Sequence, residues 1–208
     1  MASEPTQIPA PSVLGVEAAD RAASPFLDLE GFRRREPAAL EAFFERYFDR
    51  VYSIVARLLG NRAAAEDAAQ EVFVKIHRAA HTLDPARDPG PWIATIATNV
   101  CRDYWRSTPH RMDRRSASIE DTPGLADRLT TGVADPERDL LAAERARLVQ
   151  GAIMGLKEDF REVVLLRDYD GRSYEEIAAI VGANEAAVRK RYSRALAELG
   201  RLLKGKGL

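Results

Sequence analysis

The sequence predicts an all-α protein in which two small helical domains are joined by a flexible linker, the second domain containing a helix-turn-helix. Apolar residues recur at intervals of three and four over most of the chain, and no strand-like alternation appears. This periodicity is lost over residues 108–138, where prolines and glycines accumulate as is typical of a linker. Near the C-terminus, two amphipathic segments are separated by a turn at Gly182, which is the layout of a helix-turn-helix.

These patterns divide the 208 residues into four segments. We expect a disordered, proline-rich tail over residues 1–25 and a first helical domain over residues 26–107. An acidic linker is predicted over residues 108–138, and the helix-turn-helix domain over residues 139–208.

Three long helices are predicted in the first domain. The first covers Pro37–Leu59, with an apolar stripe of Leu40, Phe44, Tyr47, Val51, Val55 and Leu58. Gly60 breaks it, and Asn61 is suited to cap a second helix that runs to about residue 80. One face of that second helix carries Ala65, Ala68, Val72, Phe73 and Ile76. After a polar turn, the third helix is expected over residues 91–107.

The helix-turn-helix has the clearest local pattern in the chain. Ser173 and Glu176 have the spacing of a capping box, Gly182 favours the left-handed conformation that ends a helix, and Asn184 can cap the next one. One face of that next helix is an apolar stripe of Val188, Tyr192, Ala195, Leu199 and Leu202. Its opposite face is small and basic, with Ala186, Lys190, Ser193, Arg194 and Ala197 on it and Arg189 at its flank. Such a helix can enter the major groove of DNA, whereas the alternative is an ordinary αα-hairpin with a solvated basic face.

The distribution of charge supports DNA binding, although the net charge of the chain is only −1. Residues 185–208 hold seven Lys and Arg against two Glu, and residues 102–115 hold five Arg against two Asp. Residues 116–147, which lie between them, are net acidic. Two basic patches are therefore separated by an acidic connector, rather than forming one basic domain that would bind DNA unaided.

Other classes of protein find little support in the sequence. No apolar run approaches the length of a membrane span and no secretory signal is seen, so we expect no membrane insertion. The single cysteine, Cys101, cannot form an intramolecular disulfide, which fits a cytoplasmic location, and we interpret it as a small buried apolar residue. Neither a metal-ligand spacing nor a phosphate-binding loop is present, so we predict no metal, no cofactor and no catalytic residues. A carboxylate site at Glu66, Asp67 and Glu71 would lack any partner group.

Two stretches of the first domain resemble known motifs. Asp67, Gln70, Glu71 and Phe73 match the D-x-x-Q-E/D-x-F signature of bacterial sigma factors. The segment from Trp92 to Arg106 resembles their W-L-x-x-I-A-x-N-x-x-x-D-x-x-R helix. The helix-turn-helix resembles their C-terminal DNA-binding module. The layout of two domains without a third folded domain resembles that of the extracytoplasmic-function group.

The resemblance implies three sets of binding residues. The surface that docks on the clamp helices of the largest subunit of core RNA polymerase comprises Asp67, Gln70, Glu71, Phe73 and Lys75. The resemblance assigns contacts with the minus-ten promoter element to Asn99, Arg102, Asp103 and Arg106. Contacts to the minus-thirty-five element fall to Arg167, Asn184, Ala186, Arg189, Lys190, Ser193 and Arg194. An anti-sigma factor is a further expected partner, as is usual in this family.

Several assignments stay open at this stage. Ala187 and Lys190 depart from a common family pattern, which leaves the promoter sequence undefined. Of Tyr104 and Trp105, at least one is expected in the core, whereas Trp92 is expected to anchor it and Asp103 to orient Arg106. The resemblance implies that the acidic linker threads close to the polymerase active-site cleft, but a plain tether is an equal alternative. An autonomous helix-turn-helix regulator, with a sensing or dimerising first domain, is the competing function.

Overall fold

A computed structural model of the chain describes residues 27–107 and 136–205, the side chains of residues 136–143 excepted. The helices of the first stretch are α1 (Leu29–Arg33), α2 (Pro37–Leu59), α3 (Arg62–Ala79) and α4 (Gly90–Arg106). Those of the second are α5 (Pro136–Gly155), α6 (Glu158–Val164), α7 (Tyr174–Val181) and α8 (Glu185–Lys204). These two stretches contain no strand, and the prediction of an all-α fold is confirmed.

Helix ends in the first domain follow the local signals of the sequence. Gly60 ends α2 with a φ of +68°, a left-handed conformation that costs glycine little. The side chain of Asn61 then accepts a hydrogen bond from the amide of Ala64 and caps α3. The predicted bounds of α2 are confirmed, and α3 is extended by a 3₁₀ turn over Ala80–Thr82.

The short helix α1 has no counterpart in the sequence prediction, yet it completes the core. Asp28 caps it by accepting from the amide of Gly31. Phe32 is fully buried and its ring stacks on that of Phe43, with 3.9 Å between the ring centroids. Phe43 is thus the buried aromatic of this part of α2, whereas Phe44, which the predicted stripe included, is only half-buried. The stripe is displaced because α1 covers the neighbouring face of α2.

The second domain begins at Pro136, slightly before the predicted start of its helices near Asp139. A π-helical turn, Leu165–Tyr169, follows α6 and leads into the helix-turn-helix. The capping box is present, because Ser173 accepts from the amide of Glu176 and the Glu176 carboxylate accepts from the amide of Ser173. Gly182 ends α7 with a φ of +67°. Val188 and Ala195 are fully buried on the predicted apolar face of α8.

The two domains pack directly against each other. Ala94 of α4 is fully buried in a cluster with residues of the helix-turn-helix, among them Ile177 and Val188. In the opposite direction, Ile153 and Leu165 of the second domain belong to the main core cluster of the first. The tail predicted over residues 1–25 and residues 108–135 of the predicted linker lie outside the described residues.

Candidate nucleic-acid interface

The polar face of α3 carries the residues that the resemblance assigns to polymerase. Asp67, Gln70 and Glu71 are all exposed, as their spacing predicts. Lys75 is half-buried, with its ammonium 3.8 Å from a Glu71 oxygen and 3.2 Å from an Asp103 oxygen. These side chains form one continuous polar surface. Its ion pairs lie within the first domain and are accessible to water.

Phe73, the apolar member of the predicted set, belongs to an exposed aromatic stack. Its ring is parallel to that of Phe48, with 5.8 Å between centroids, and Phe48 stacks in turn on Tyr52. Phe48 is 52% exposed and Val74 is 42% exposed, which is uncommon for large apolar side chains. Neither was predicted from the sequence, although Phe48 lies outside the apolar stripe of α2 and was detectable for that reason. Apolar surface thus borders the polar face of α3.

The predicted minus-ten residues lie on one side of α4. Asn99, Asp103 and Arg106 are exposed, whereas Arg102 is only 25% exposed. Asp103 accepts a 2.7 Å hydrogen bond from the Arg106 guanidinium, which is the orienting contact that the sequence predicted. Trp105 and Cys101 are buried, while Tyr104 and Trp92 are half-buried against the core. Burial raises the pKa of the Cys101 thiol, so this cysteine is not reactive.

Arg102 is committed to the second domain. Its guanidinium lies 2.8 Å from a carboxylate oxygen of Glu162, a residue of α6 that is 3% exposed. Burial raises the pKa of Glu162, and the hydrogen bond and charge of Arg102 oppose that shift only in part. No sequence pattern marks this pair, because 60 residues separate the partners.

Three further arginines tie the domains together. Arg172, 3% exposed, pairs with Asp170 at 2.6 Å and Glu176 at 2.9 Å, and reaches Asp88 of the first domain at 3.5 Å. Asp170 also pairs with Arg50 of α2 at 2.8 Å.

Arg161 is the third arginine between the domains, and it contacts the C-terminal ends of two helices. Its guanidinium donates to the carbonyl oxygens of Leu58 (2.8 Å), Met154 (2.6 Å) and Leu156 (3.1 Å). A cation at the C-terminal ends of α2 and α5 satisfies carbonyls that have no partner within the helix. The interface between the domains is therefore held by buried, charge-assisted hydrogen bonds as well as by apolar packing.

The exposed face of α8 carries most of the predicted minus-thirty-five residues. Ala186, Arg189, Lys190, Ser193 and Arg194 are all exposed there. Asn184 is exposed as well, and its amide oxygen caps α8 by accepting from the amide of Ala187, while its NH₂ group is available for other contacts. Arg167 is half-buried on the π-helical turn, where it donates a 2.7 Å hydrogen bond to the Arg172 carbonyl. Basic side chains thus surround the N-terminal half of α8, the part that enters the major groove in this motif.

Other ligand classes are not represented in the described stretches. No group of three or more His, Cys, Asp or Glu side chains is arranged to hold a metal ion within residues 27–107 and 136–205. Among the helices that the structure describes, none is long and apolar enough to cross a membrane.

An all-helical domain joined to a helix-turn-helix with an exposed basic face is typical of a DNA-binding protein, and comparison with known families specifies which kind. Residues 43–111 match the family described as Sigma-70 region 2, and residues 146–199 match that described as Sigma-70, region 4. The RNA polymerase sigma factor CarQ of Myxococcus xanthus is 36% identical over 175 residues, which cover 84% of this chain and 95% of the relative. The chain belongs to the extracytoplasmic-function group of the sigma factor family.

Two further similarities agree with this assignment. The ECF RNA polymerase sigma-E factor of Escherichia coli K12 is 31% identical over 175 residues, covering 80% of this chain and 87% of the relative. The sigma factor RpoE of Bartonella quintana, solved in complex with the anti-sigma factor NepR, shares the fold with a TM-score of 0.60 at 23% identity, covering 79% of this chain and 96% of that one. Sigma factors are non-enzymatic initiation subunits that bind core RNA polymerase, direct it to promoters and help to melt the DNA. The alternative of an autonomous regulator is not favoured.

Proposed function

We propose that three surfaces divide the work of this sigma factor. The polar face of α3 docks on the clamp helices of the largest polymerase subunit, through Asp67, Gln70, Glu71, Phe73 and Lys75. The exposed side of α4 binds the melted minus-ten element, and the exposed face of α8 reads the minus-thirty-five element. The protein acts in the cytoplasm and has no catalytic residues of its own. The observation that carries this proposal is the exposure of the α3 face and of the α8 face together in one folded chain.

The packing of the two domains supports a role that depends on polymerase. The two promoter elements lie about 25 base pairs apart, which is about 85 Å at a rise of about 3.4 Å per base pair. Here α4 packs on α7, the first helix of the helix-turn-helix, and Ala94 of α4 shares an apolar cluster with Val188 of α8, so the two DNA-binding surfaces belong to one packed unit rather than lying that distance apart. We propose that binding to core polymerase holds the domains apart. The free protein is accordingly expected to bind promoter DNA poorly, and its complex with polymerase tightly.

An anti-sigma factor is the regulator we propose for this protein. The polar face of α3 borders the exposed side chains of Phe48 and Val74, which offer apolar surface to a protein partner. A partner that covers this surface would block polymerase. Competition between such a partner and core polymerase for the same face is the behaviour expected.

Run-off transcription with core polymerase on a promoter library tests the proposal. The double variant Gln70→Ala, Glu71→Lys is expected to bind core at least about ten-fold more weakly, because reversal of a charge within a polar interface can cost several kcal/mol. Its free energy of unfolding should change by less than about 0.5 kcal/mol, since both side chains are exposed. Glu41→Lys, an exposed charge reversal on α2, is the matched control and should leave core binding unchanged. Wild-type protein that gives no transcription above core alone would contradict the proposal.

A further inference from the structure

Tyr174 brings together two arginines that are distant in sequence. It is the first residue of α7 and is half-buried. The guanidinium carbon of Arg167, from the π-helical turn, lies 4.5 Å from the centroid of its ring. That of Arg189, from α8, lies 4.4 Å from the same centroid. Both distances are well within the range of cation–π contacts, which extends to about 6 Å.

The ring of Tyr174 is itself held in place. It meets the ring of Tyr192 edge to face, with 5.8 Å between centroids. The Tyr192 hydroxyl donates a 2.7 Å hydrogen bond to Asp168, and burial with this bond raises the pKa of Tyr192. Since Tyr174 and Tyr192 also pack against the core of the helix-turn-helix, the ring has little freedom to move.

Each arginine has a second contact that fixes its direction. Arg167 donates to the carbonyl oxygen of Arg172 at 2.7 Å. Arg189 donates to one Glu185 oxygen through Nε at 2.9 Å and Nη2 at 2.5 Å, which leaves its Nη1 group directed elsewhere. Stacking on an aromatic ring occupies the face of a guanidinium and leaves its edge N–H groups available. Those edge groups are the ones that bind phosphate oxygens.

We propose that Tyr174 is a positioning residue that holds Arg167 and Arg189 as a preorganised pair for the phosphate backbone at the minus-thirty-five element. The inference rests on the proposed function of the α8 face and adds to it a residue that contributes no charge. A long side chain that is already immobilised in the free protein loses less conformational entropy when DNA binds. Without the ring, both arginines keep their charge but no longer share a common direction.

The experiment measures the affinity of the holoenzyme for a promoter fragment obtained from the run-off selection, as a function of salt concentration. Tyr174→Leu, which keeps an apolar side chain, is expected to weaken binding about three- to ten-fold, because both arginine side chains must then be ordered when DNA binds. The slope of log affinity against log salt should become shallower, by up to about 0.9 for each phosphate that is no longer bound. Tyr174→Phe is the matched control and should bind like wild type, because it keeps the ring. A purely structural role for Tyr174 would lower melting temperature without changing this slope.

A double-mutant cycle separates the inference from the proposed function. Arg167→Gln and Arg189→Gln should each weaken binding, and Tyr174→Leu should have little further effect once both are present. If the arginine variants bind like wild type, the proposed role of this face is wrong and the inference falls with it. If they weaken binding and Tyr174→Leu does not, or if its effect is fully additive, the inference alone is overturned.

Should Tyr174→Leu not fold, the ring can be changed without changing its shape. Replacement of Tyr174 by pentafluorophenylalanine reverses the ring quadrupole and is expected to repel the guanidinium groups. It should weaken DNA binding relative to Tyr174→Phe at equal melting temperature. Equal affinity of these two variants would overturn the inference.

Discussion

The exposed faces of α3 and α4 are neighbours in the first domain, yet they differ in their relation to the second domain. The polar face of α3 presents Asp67, Gln70 and Glu71 to solvent, and its ion pairs are local. On α4, by contrast, Arg102 is paired with the buried Glu162, and Ala94 is buried in the core of the helix-turn-helix. The surface assigned to polymerase is free in this arrangement, whereas part of the surface assigned to DNA is occupied.

This difference implies an order of events. If the proposed surfaces are right, polymerase can bind α3 while the domains are still packed together, but Arg102 can reach a DNA phosphate only after it leaves Glu162. The pair of Arg102 with Glu162 would then compete with promoter DNA, since the same guanidinium cannot satisfy both anions. Such a buried pair is weak evidence for high stability, because its desolvation opposes its attraction.

Of the changes considered, Ala94→Glu is expected to have the largest effect on the packing of α4 against the second domain. It places a charge without a partner in an apolar cluster, which costs several kcal/mol, so the domains should separate. Fluorophores on Ala63→Cys of α3 and Ala197→Cys of α8, both exposed positions, would report an increased distance. Labelling is selective because Cys101 is buried and its pKa is raised.

The matched control for this experiment is Ala42→Glu, which adds the same charge at an exposed position of α2. It should leave the distance between the fluorophores unchanged. An unchanged distance in Ala94→Glu, in protein that remains folded, would show that the α4 interface does not hold the domains together.

Much of the fold was predictable because its signals are local. The caps at Asn61, Ser173 and Asn184 depend on side chains that bond to amides three residues away, and α2 begins at Pro37 and ends before Gly60 for equally local reasons. Gly182 ends α7 for the equally local reason that its φ is positive. The Asp67-to-Phe73 segment, the Trp92-to-Arg106 segment and the helix-turn-helix resemble sigma factors in combination, and this resemblance predicted the family that the comparisons confirm.

What the sequence could not predict depends on long-range packing. The choice of Phe43 over Phe44 as the buried aromatic is made by α1, which is too short to give a periodic signal. Arg50 and Asp170 are 120 residues apart, and nothing in either local sequence marks them as partners. Glu162 resembles any solvated glutamate of an amphipathic helix, and its burial depends on packing between helices that its local sequence does not show.

The buried Glu162, which pairs with α4, distinguishes the two faces by its titration, and the expected effect on stability is of intermediate size. Burial raises its pKa above that of an unfolded chain, so the folded protein binds more protons at this site than the unfolded one. The contribution of Glu162 to the free energy of unfolding is therefore fully present below the ordinary pKa of a glutamate and is lost as pH rises through the raised value. The surrounding charges are Arg102, Arg191 and Asp159, of which Asp159 raises the pKa and the arginines lower it.

The free energy of unfolding measured across this pH window should fall as pH rises. Glu162→Gln, which cannot ionise, should remove that dependence while the remaining titration of the protein is unaffected. A pH profile that is identical in Glu162→Gln and wild type would mean that Glu162 does not carry this pH dependence.

The smallest expected effect is that of Asp103→Asn, at the point where the two faces meet. Asp103 accepts a hydrogen bond of 3.2 Å from Lys75 of α3 and one of 2.7 Å from Arg106 of α4. Because all three side chains are exposed or half-exposed, the free energy of unfolding should fall by less than about 1 kcal/mol, with the difference screened by salt. The function affected is more informative than the size of the change. If Asp103 mainly orients Arg106, promoter melting by the holoenzyme slows several-fold while its affinity for core polymerase is unchanged. If it mainly holds Lys75, the affinity for core falls instead, and the two faces would be coupled through this one carboxylate before any DNA is bound.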